Sequence, residues 1–192
     1  MSINWYIARD IILTPQTFFK PTPVKVSAMP EEETKAPGLP YLGSTPAIIA
    51  FLRHTGCPFA EATLRQLADF SSRYPNVDFI AVTHSGEARS QAWCDSFGGI
   101  GSVSLLPDPE RLYYARWGVG LSDREHFAGK ESMAEVRRLF SSGVHNRPAN
   151  GSRWQMATTF SVDAAKIIRW RHVPRHAGDL PPLDDALASI AR

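Results

Sequence analysis

The chain has 192 residues, of which 43% are hydrophobic and 21% are charged, as in an ordinary globular protein. Its formal net charge of +2 gives no support to binding of nucleic acid or another polyanion. No apolar run approaches the roughly 18 residues that span a bilayer and no signal peptide is recognisable, so we expect a cytoplasmic protein without a membrane partner.

Residues 1–44 form a proline-rich segment that contains the acidic run Glu31-Glu32-Glu33. Because proline lacks a backbone donor and interrupts regular elements, we expect an extended arm here. Six large hydrophobic residues could hold this arm against the domain or against a second subunit. Contact with a second subunit would make the protein a homodimer. They are Trp5, Tyr6, Ile11, Ile12, Phe18 and Phe19.

Residues 45–192 are predicted to form one domain in which strands and helices alternate. Residues 47–52 are a continuous apolar run, typical of a strand buried on both faces. The later predicted elements are a helix from Pro58 to Tyr74, a strand at 77–82, a helix at 87–97, a strand at 103–106, a short helix at 110–117, a hairpin of strands 158–162 and 167–171, and a terminal helix marked by Leu183, Leu187 and Ile190.

Residues 118–153 are interpreted as an insertion with one helix, at 131–140, followed by a loop. The alternation of strands and helices predicts an α/β domain with a central mixed sheet flanked by helices. His84 and Asp108 follow predicted strands, and we expect each to serve in a turn or a helix cap.

Only two cysteines are present, Cys57 and Cys94. They are too few for a disulfide-stapled scaffold or for a cysteine-only zinc site. Thiols of an intracellular protein that undergo redox cycling or take part in catalysis agree better with this number. His172 and His176 are separated by Pro174 and have no third ligand beside them. We therefore predict neither a metal nor a cofactor.

Cys57 lies between the first strand and the first helix, in the segment from Arg53 to Phe59. A cysteine at this place faces unpaired backbone amides and the positive end of the helix dipole, and both favour the nucleophilic thiolate. Arg53 and His54 are close to Cys57 in the sequence, and their positive charges could further favour the thiolate. Thr55 could offer a hydroxyl to the sulfur or to a bound oxygen. The alternative is that Cys57 is a small buried core residue.

Several blocks of the chain resemble the thioredoxin-like AhpC/TSA antioxidant family, also called peroxiredoxin-like 2. The blocks are Phe51 to His54 with Gly56-Cys57-Pro58, Pro107-Asp108-Pro109 with Trp117-Gly118-Val119-Gly120, and Thr159 to Asp163 with His176 to Asp179. The resemblance covers about residues 45–190. It implies a thioredoxin-like fold and thiol-dependent reduction of hydrogen peroxide or of organic peroxides, including endoperoxides.

Carried over by position, the resemblance makes Cys57 the redox-active cysteine, with Arg53, His54, Pro58 and Phe59 around the substrate. The chain departs from the family at Ala60, where many members have the second cysteine of a Cys-x-x-Cys pair.

Typical peroxiredoxins also place Thr or Ser three residues before the cysteine and an arginine on a later strand. Here His54 stands at that position and Thr55 follows it. The candidates for this arginine are Arg153, Arg116 and Arg175, and the sequence does not decide among them. Arg153 is included among the candidate substrate-binding residues.

Cys94 lies on the second predicted helix, where bacterial-type thiol peroxidases, which this stretch resembles, carry a resolving cysteine. Cys94 could therefore condense with a Cys57 sulfenic acid, or it could simply pack in the core. Alternatively, an external thiol reductant of thioredoxin or glutathione type could regenerate Cys57 from the sulfenic acid. Two further functions stay open: an enzyme that uses the same pocket on a small organic substrate, and a non-catalytic binding module.

Overall fold

A computed structural model describes residues 14–191 of the chain, and its centre is a sheet of five strands. The strands are β1 (Ala47–Phe51), β2 (Asp78–Thr83), β3 (Ser104–Pro107), β4 (Thr158–Val162) and β5 (Ile168–His172). Their order across the sheet is β3-β2-β1-β4-β5. Because β1 pairs in parallel with β2 and antiparallel with β4, the sheet is mixed, as the sequence predicts.

Six α-helices flank this sheet within the described residues. They are α1 (Pro58–Arg73), α2 (Glu87–Asp95), α3 (Leu112–Arg116), α4 (Arg124–Ala128), α5 (Lys130–Ser141) and α6 (Leu183–Ile190). A short 3₁₀ turn at Pro15–Phe18 precedes the first strand. None of these helices is long and apolar enough to span a bilayer.

The central strand β1 is buried at all five positions, and its side chains alternate between two hydrophobic clusters. Ile48 and Ala50 face the cluster that contains Leu64 of α1. Ile49 and Phe51 face the cluster that contains Tyr114 and Trp117. A strand between two apolar layers must be apolar throughout, which is why a continuous run rather than an alternating pattern predicts it correctly.

The arm contributes to the second cluster, since Leu39 and Leu42 are buried there. Residues 33–36 run along the start of β5, where the Glu33 N–H donates to the Ile168 carbonyl at 2.8 Å. Of the six residues expected to hold the arm, four lie outside the described residues. Phe18 contacts the domain through the guanidinium of Arg153, 4.2 Å above its ring. Phe19 is 76% exposed and does not hold the arm to the domain, so for this residue only contact with a second subunit stays a prediction.

The predicted elements are present, with small differences at their ends. α2 ends at Asp95 rather than at residue 97, because the positive φ angles of Gly98 (103°) and Gly99 (83°) turn the chain away. The insertion holds an additional helix, α4, which the sequence analysis missed. Its signal is Asp123, whose carboxylate caps the helix by accepting the His126 N–H at 2.8 Å.

Asp108 is buried directly after β3 and caps α3, which confirms the capping role expected for it. Its carboxylate accepts the backbone N–H groups of Leu112, Tyr113 and Tyr114 at 2.9, 2.8 and 3.1 Å. This cap places the Tyr114 hydroxyl where it donates to the carbonyls of Leu52 and Val82, at the ends of β1 and β2. α3 is thereby fastened to the end of the sheet at which Cys57 lies.

We predict that Asp108→Ala lowers the free energy of unfolding by about 2–4 kcal/mol, because three buried backbone donors lose a charged acceptor. Urea unfolding followed by circular dichroism measures the change. Asp69→Ala, at an exposed position of α1, is the matched control and should change the free energy by less than about 0.5 kcal/mol. Equal effects of the two substitutions would contradict a structural role for the cap.

Candidate active site

Cys57 is the N-cap residue of α1, six residues after β1 ends. Its carbonyl accepts the Glu61 N–H at 3.0 Å, and its own N–H donates to the His54 carbonyl at 3.2 Å. Pro58 occupies the first helical position, where the missing N–H costs nothing. The local geometry is therefore the one expected from the sequence, with a cysteine at the amino end of a 16-residue helix.

The Cys57 side chain is buried, with 2% of its surface exposed, and its thiol is free. It belongs to the hydrophobic cluster that lies between the sheet, α1 and α5. A substrate can reach the sulfur only when some part of this packing moves. The residues that cover the approach therefore decide whether the thiol can react.

The 144–152 segment, at the end of the insertion, runs beside the residues that precede Cys57. The Arg147 N–H donates to the Gly56 carbonyl at 3.0 Å, and the Asn150 N–H donates to the Thr55 carbonyl at 3.1 Å. Gly56 has a φ of 85°, and a Cβ there would stand 2.7 Å from the carbonyl oxygens of Arg147 and Pro148. Only glycine allows both this backbone conformation and this close approach.

An ion pair with a buried carboxylate fastens the 144–152 segment to α1. Glu61, one turn after Cys57, has no exposed surface. The Arg147 Nε donates to its Oε2 at 2.9 Å, and Arg65 donates to its Oε1 through Nε and Nη2 at 3.0 and 2.8 Å. A buried carboxylate needs such partners, because an unpaired charge in the interior is strongly destabilising.

The Thr55 hydroxyl, expected to serve the sulfur or a bound oxygen, is hydrogen-bonded within this contact. Its Oγ1 lies 3.1 Å from the Ser85 Oγ and 3.2 Å from the Asn150 carbonyl, to which Ser85 also donates at 3.1 Å. A hydroxyl has one proton, so Thr55 can offer it to a ligand only when the contact with residue 150 opens. Its catalytic role stays a prediction.

His84, at the end of β2, holds the other end of the 144–152 segment. Its Nε2 accepts the Ser152 N–H at 2.9 Å, and a Cβ on Gly151 would stand 2.5 Å from the same ring nitrogen. Burial, together with the charges of Arg111 and Arg53, lowers the pKa of His84 to about 3. The imidazole is therefore neutral, as an acceptor of this bond must be. The backbone of His84 lies in the bend after β2, and its side chain makes a long-range contact rather than a helix cap.

Arg53 and Arg153 are brought together beside Cys57. Both are buried, and the Arg53 Nη2 donates to the Arg153 carbonyl at 2.5 Å. Burial lowers the pKa of the Arg53 guanidinium, the neighbouring Cys57 opposes this effect, and Arg153 adds to it. Phe127 of α4 packs under the Arg53 guanidinium, with 5.7 Å between the Cζ atom and the ring centroid.

The other two candidate arginines lie elsewhere. Arg116 stacks on Tyr113, and Arg175 is exposed and paired with Asp179. Of the three candidates, Arg153 is the one that contacts Arg53, and its role in the site stays a prediction.

His54 does not supply the positive charge that the sequence analysis expected of it. It is 2% exposed, and burial together with the charges of Arg153 and Arg53 lowers its pKa well below the usual value. Its Nδ1 lies 3.0 Å from the Thr55 carbonyl, to which the neutral ring donates. The two arginines are thus the cations at this site, and His54 is a neutral neighbour.

Phe59 and Pro58 are buried at the start of α1. Phe59 and Arg53 line one small cavity of about 20 Å³, which is closed off by Ala177 and Pro181. This space is smaller than any organic substrate, so a substrate-binding role for Phe59 also requires movement of the surrounding residues. The roles assigned to Phe59 and Pro58 stay predictions.

Cys94 lies on α2, is fully buried, and belongs to the same hydrophobic cluster as Cys57. Burial, with a contribution from the charge of Asp95, raises the pKa of the Cys94 thiol to about 11. It is therefore protonated at neutral pH and packs as a core residue in this state. A resolving role requires that both cysteines leave the core, and it stays a prediction.

Sequence reasoning missed the residues that close the site: Glu61, Arg147, Ser85 and Asn150. The pair of Glu61 with Arg65, four residues apart on a helix, is visible in the sequence. The partner Arg147 is 86 positions away and has no sequence signal. In residues 14–191, no group of three or more His, Cys, Asp or Glu side chains is arranged to hold a metal ion.

Comparison with solved structures identifies the architecture. The chain has a thioredoxin-like fold. It is similar to a thiol peroxidase from Chromobacterium violaceum (TM-score 0.61, 16% identity, 85% of this chain and 87% of that chain). It is also similar to a peroxiredoxin-like protein from Aquifex aeolicus (TM-score 0.61, 13% identity, 85% and 88%) and to yeast mitochondrial 1-Cys peroxiredoxin (TM-score 0.56, 13% identity, 83% and 74%).

A scan against family models and a search of curated proteins give no match. The fold implied by the sequence resemblance is thus confirmed, by structures whose sequences differ from this one at most positions.

We predict that acid destabilises the protein through His84 and His54. Both have lowered pKa values in the folded state, so between pH 6.5 and 5 the unfolded chain binds more protons than the folded one. The free energy of unfolding should fall with decreasing pH by up to about 1.4 kcal/mol per unit for each histidine. Urea unfolding at pH 7, 6 and 5 measures this slope. His84→Gln should reduce this slope by the contribution of one histidine. An unchanged slope would contradict the lowered pKa of His84 in the folded state.

Proposed function

We propose that the protein is a thiol-dependent peroxidase in which Cys57 is the nucleophile. The observation that carries the proposal is the position of Cys57 at the amino end of α1, beside two buried arginines, in a thioredoxin-like fold. The substrates are hydrogen peroxide or organic peroxides, including endoperoxides. The reaction takes place in the cytoplasm, where thiol reductants of thioredoxin or glutathione type are available.

In the first step, the Cys57 thiolate attacks the terminal oxygen of a hydroperoxide. A sulfur–oxygen bond forms and the oxygen–oxygen bond breaks, so that sulfur is oxidised to a sulfenic acid and the remaining oxygen leaves as an alkoxide, or as hydroxide from hydrogen peroxide. The leaving oxygen takes a proton and departs as an alcohol or as water. The peroxide is thereby reduced by two electrons.

Positive charge at the site assists both partners in this step. The Arg53 guanidinium favours the thiolate before attack and the developing negative charge on the leaving oxygen during it. The Arg153 backbone carbonyl accepts a hydrogen bond from the Arg53 guanidinium and fixes the orientation of that guanidinium. The Thr55 hydroxyl can donate to the peroxide once the 144–152 segment moves away.

Thiols complete the cycle. A first thiol condenses with the sulfenic acid to give a disulfide and water. If that thiol is external, a second external thiol releases Cys57 and leaves as the disulfide of the two reductants; if it is Cys94, two external thiols reduce the intramolecular disulfide and leave as their own disulfide. The first thiol is either Cys94 or an external reductant. Because Cys94 is fully buried and protonated, an external thiol is the more direct route in the closed state.

Cys57→Ser tests the proposal. The wild type should consume hydrogen peroxide or cumene hydroperoxide when a thiol reductant is present, and Cys57→Ser should reduce the rate at least 100-fold because an alcohol is far less nucleophilic than a thiolate. Peroxide loss is followed colorimetrically. Cys94→Ser serves as the matched control and should retain turnover with an external thiol. Peroxide loss that is equal in wild type and Cys57→Ser would contradict the proposal.

We propose that access to Cys57 depends on the ion pair between Arg147 and Glu61. We predict that Arg147→Gln, in a Cys94→Ser background, increases the rate of Cys57 alkylation by iodoacetamide roughly tenfold, which corresponds to about 1.4 kcal/mol in the opening equilibrium. Arg65→Gln is the matched control, because Arg65 pairs with the same carboxylate but does not belong to the segment.

The control should alter the alkylation rate by less than about twofold. Unfolding curves of both variants exclude global destabilisation as the cause. Equal alkylation rates in wild type and Arg147→Gln would mean that the segment does not limit access to the sulfur.

One observation favours a second candidate function. Cys57 is nearly inaccessible and the thiol of Cys94 is protonated, so neither is poised for redox cycling in the closed state, which leaves room for an enzyme that uses the same pocket on a small organic substrate other than a peroxide. If Cys57→Ser changes no peroxide rate while the protein is folded, this reading takes precedence.

A further inference from the structure

A cleft of about 470 Å³ lies between α2 and the 144–152 segment, and we refer to it as the α2 cleft. α2 contributes Arg89 and Trp93 to its walls, and the segment contributes His145, Asn146 and Arg147. None of the residues that line the cleft is an aspartate or a glutamate. The side chains that offer hydrogen bonds there are mainly donors, two of them guanidinium groups.

The positive charge of this cleft is only partly compensated. Arg147 and Arg65 share the single carboxylate of Glu61, so two guanidinium charges face one negative charge. Arg89 is exposed and takes part in no ion pair among residues 14–191. An anion in the cleft would therefore meet one free guanidinium and a second that carries excess charge.

A larger cleft elsewhere on the molecule lacks this property. It measures about 860 Å³ and is lined by Asp123, Glu125 and Glu131 as well as by Lys20 and Lys130. Charges of both signs favour no particular ligand charge. The α2 cleft differs from it in having no carboxylate in its lining, so its charge favours a negative ligand.

The α2 cleft also adjoins the candidate active site. Thr55, two residues before Cys57, forms part of its wall together with Asn150. The aromatic ring of Trp93 and the aliphatic surfaces of Ala92 and Pro148 give the same cleft an apolar side. A ligand with a charged end and an apolar body could contact both kinds of surface beside the segment that covers Cys57.

We propose that the α2 cleft binds a small organic carboxylate through Arg89 and Arg147. A guanidinium presents planar paired donors that match the two oxygens of a carboxylate. The role of the cleft rests on the proposed function: it anchors the carboxylate end of an organic hydroperoxide or of a thiol reductant. Both sources share the same recognition chemistry.

Binding is tested without turnover, by titrating the full-length protein with benzoate and with neutral benzamide. The readout is the indole N–H signal of Trp93 in ¹⁵N-correlated NMR spectra, assigned by its loss in Trp93→Phe. Benzoate should shift this signal in a saturable manner, and benzamide should not. Arg89→Gln should weaken benzoate binding about tenfold, because it removes the unpaired guanidinium.

The matched control is Arg137→Gln, which removes the same charge from an exposed position of α5 outside both clefts. Its dissociation constant for benzoate should stay within about twofold of the wild type. An equal shift with benzamide, no shift with benzoate, or unchanged binding in Arg89→Gln would each overturn the proposal.

Kinetics then distinguish the two sources of the carboxylate. If the cleft binds the hydroperoxide, Arg89→Gln should raise KM about tenfold for linoleic acid hydroperoxide but not for neutral cumene hydroperoxide. If it binds the reductant, Arg89→Gln should raise KM about tenfold for glutathione but not for neutral dithiothreitol. Unchanged KM values for all four would overturn the role of the cleft in turnover. If the protein has no peroxidase activity, the NMR titration still decides whether the cleft binds a carboxylate, so failure of one proposal is separable from failure of the other.

Discussion

The buried carboxylate of Glu61 is the group on which the closed arrangement of the site depends. It lies one turn into α1, has no contact with solvent, and pairs with Arg65 of its own helix and with Arg147 of the distant 144–152 segment. Because a charge in the interior must stay paired, the segment is held where it meets Gly56 and Thr55. The same residue thus joins the first turns of α1 to the segment that contacts the two residues before Cys57.

The groups around Cys57 come from two parts of the chain. The amino end of α1 and the Arg53 guanidinium belong to the stretch between β1 and α1 that carries Cys57 itself. Protection comes from the insertion, through hydrogen bonds to Gly56, Thr55 and the neutral His84. Under the proposed function, movement of the insertion would expose the thiol while Arg53 and the amino end of α1 stay in position.

Local patterns in the sequence predict most of the fold. The apolar run of β1, the proline at the first position of α1 and the hairpin of β4 and β5 each follow from neighbouring residues, and all are present. The placement of Cys57 at a helix start follows in the same way. The charge state of His54 does not, because it depends on burial and on Arg153, which is 99 positions away in the chain.

The cover over the site could not be predicted for the same reason. The pairs Arg147–Glu61, Asn150–Thr55 and Ser152–His84 each join residues more than 60 positions apart, with no periodic pattern to mark them. The short helix α4 is a different case, since Asp123 is a local signal that the sequence analysis overlooked. The long-range polar contacts have no pattern in the sequence, whereas the cap at Asp123 has one.

The burial of Leu39 and Leu42 has a consequence for how the chain can fold. Their apolar environment includes residues of β1, β4 and β5, and β4 and β5 come from the last fifth of the sequence. During synthesis the arm is made early, but the surface that receives these two leucines is complete only when nearly the whole chain has been made. Pairing of β1 with β4 spans more than 100 residues, so contacts of high sequence separation must form before either hydrophobic layer can close.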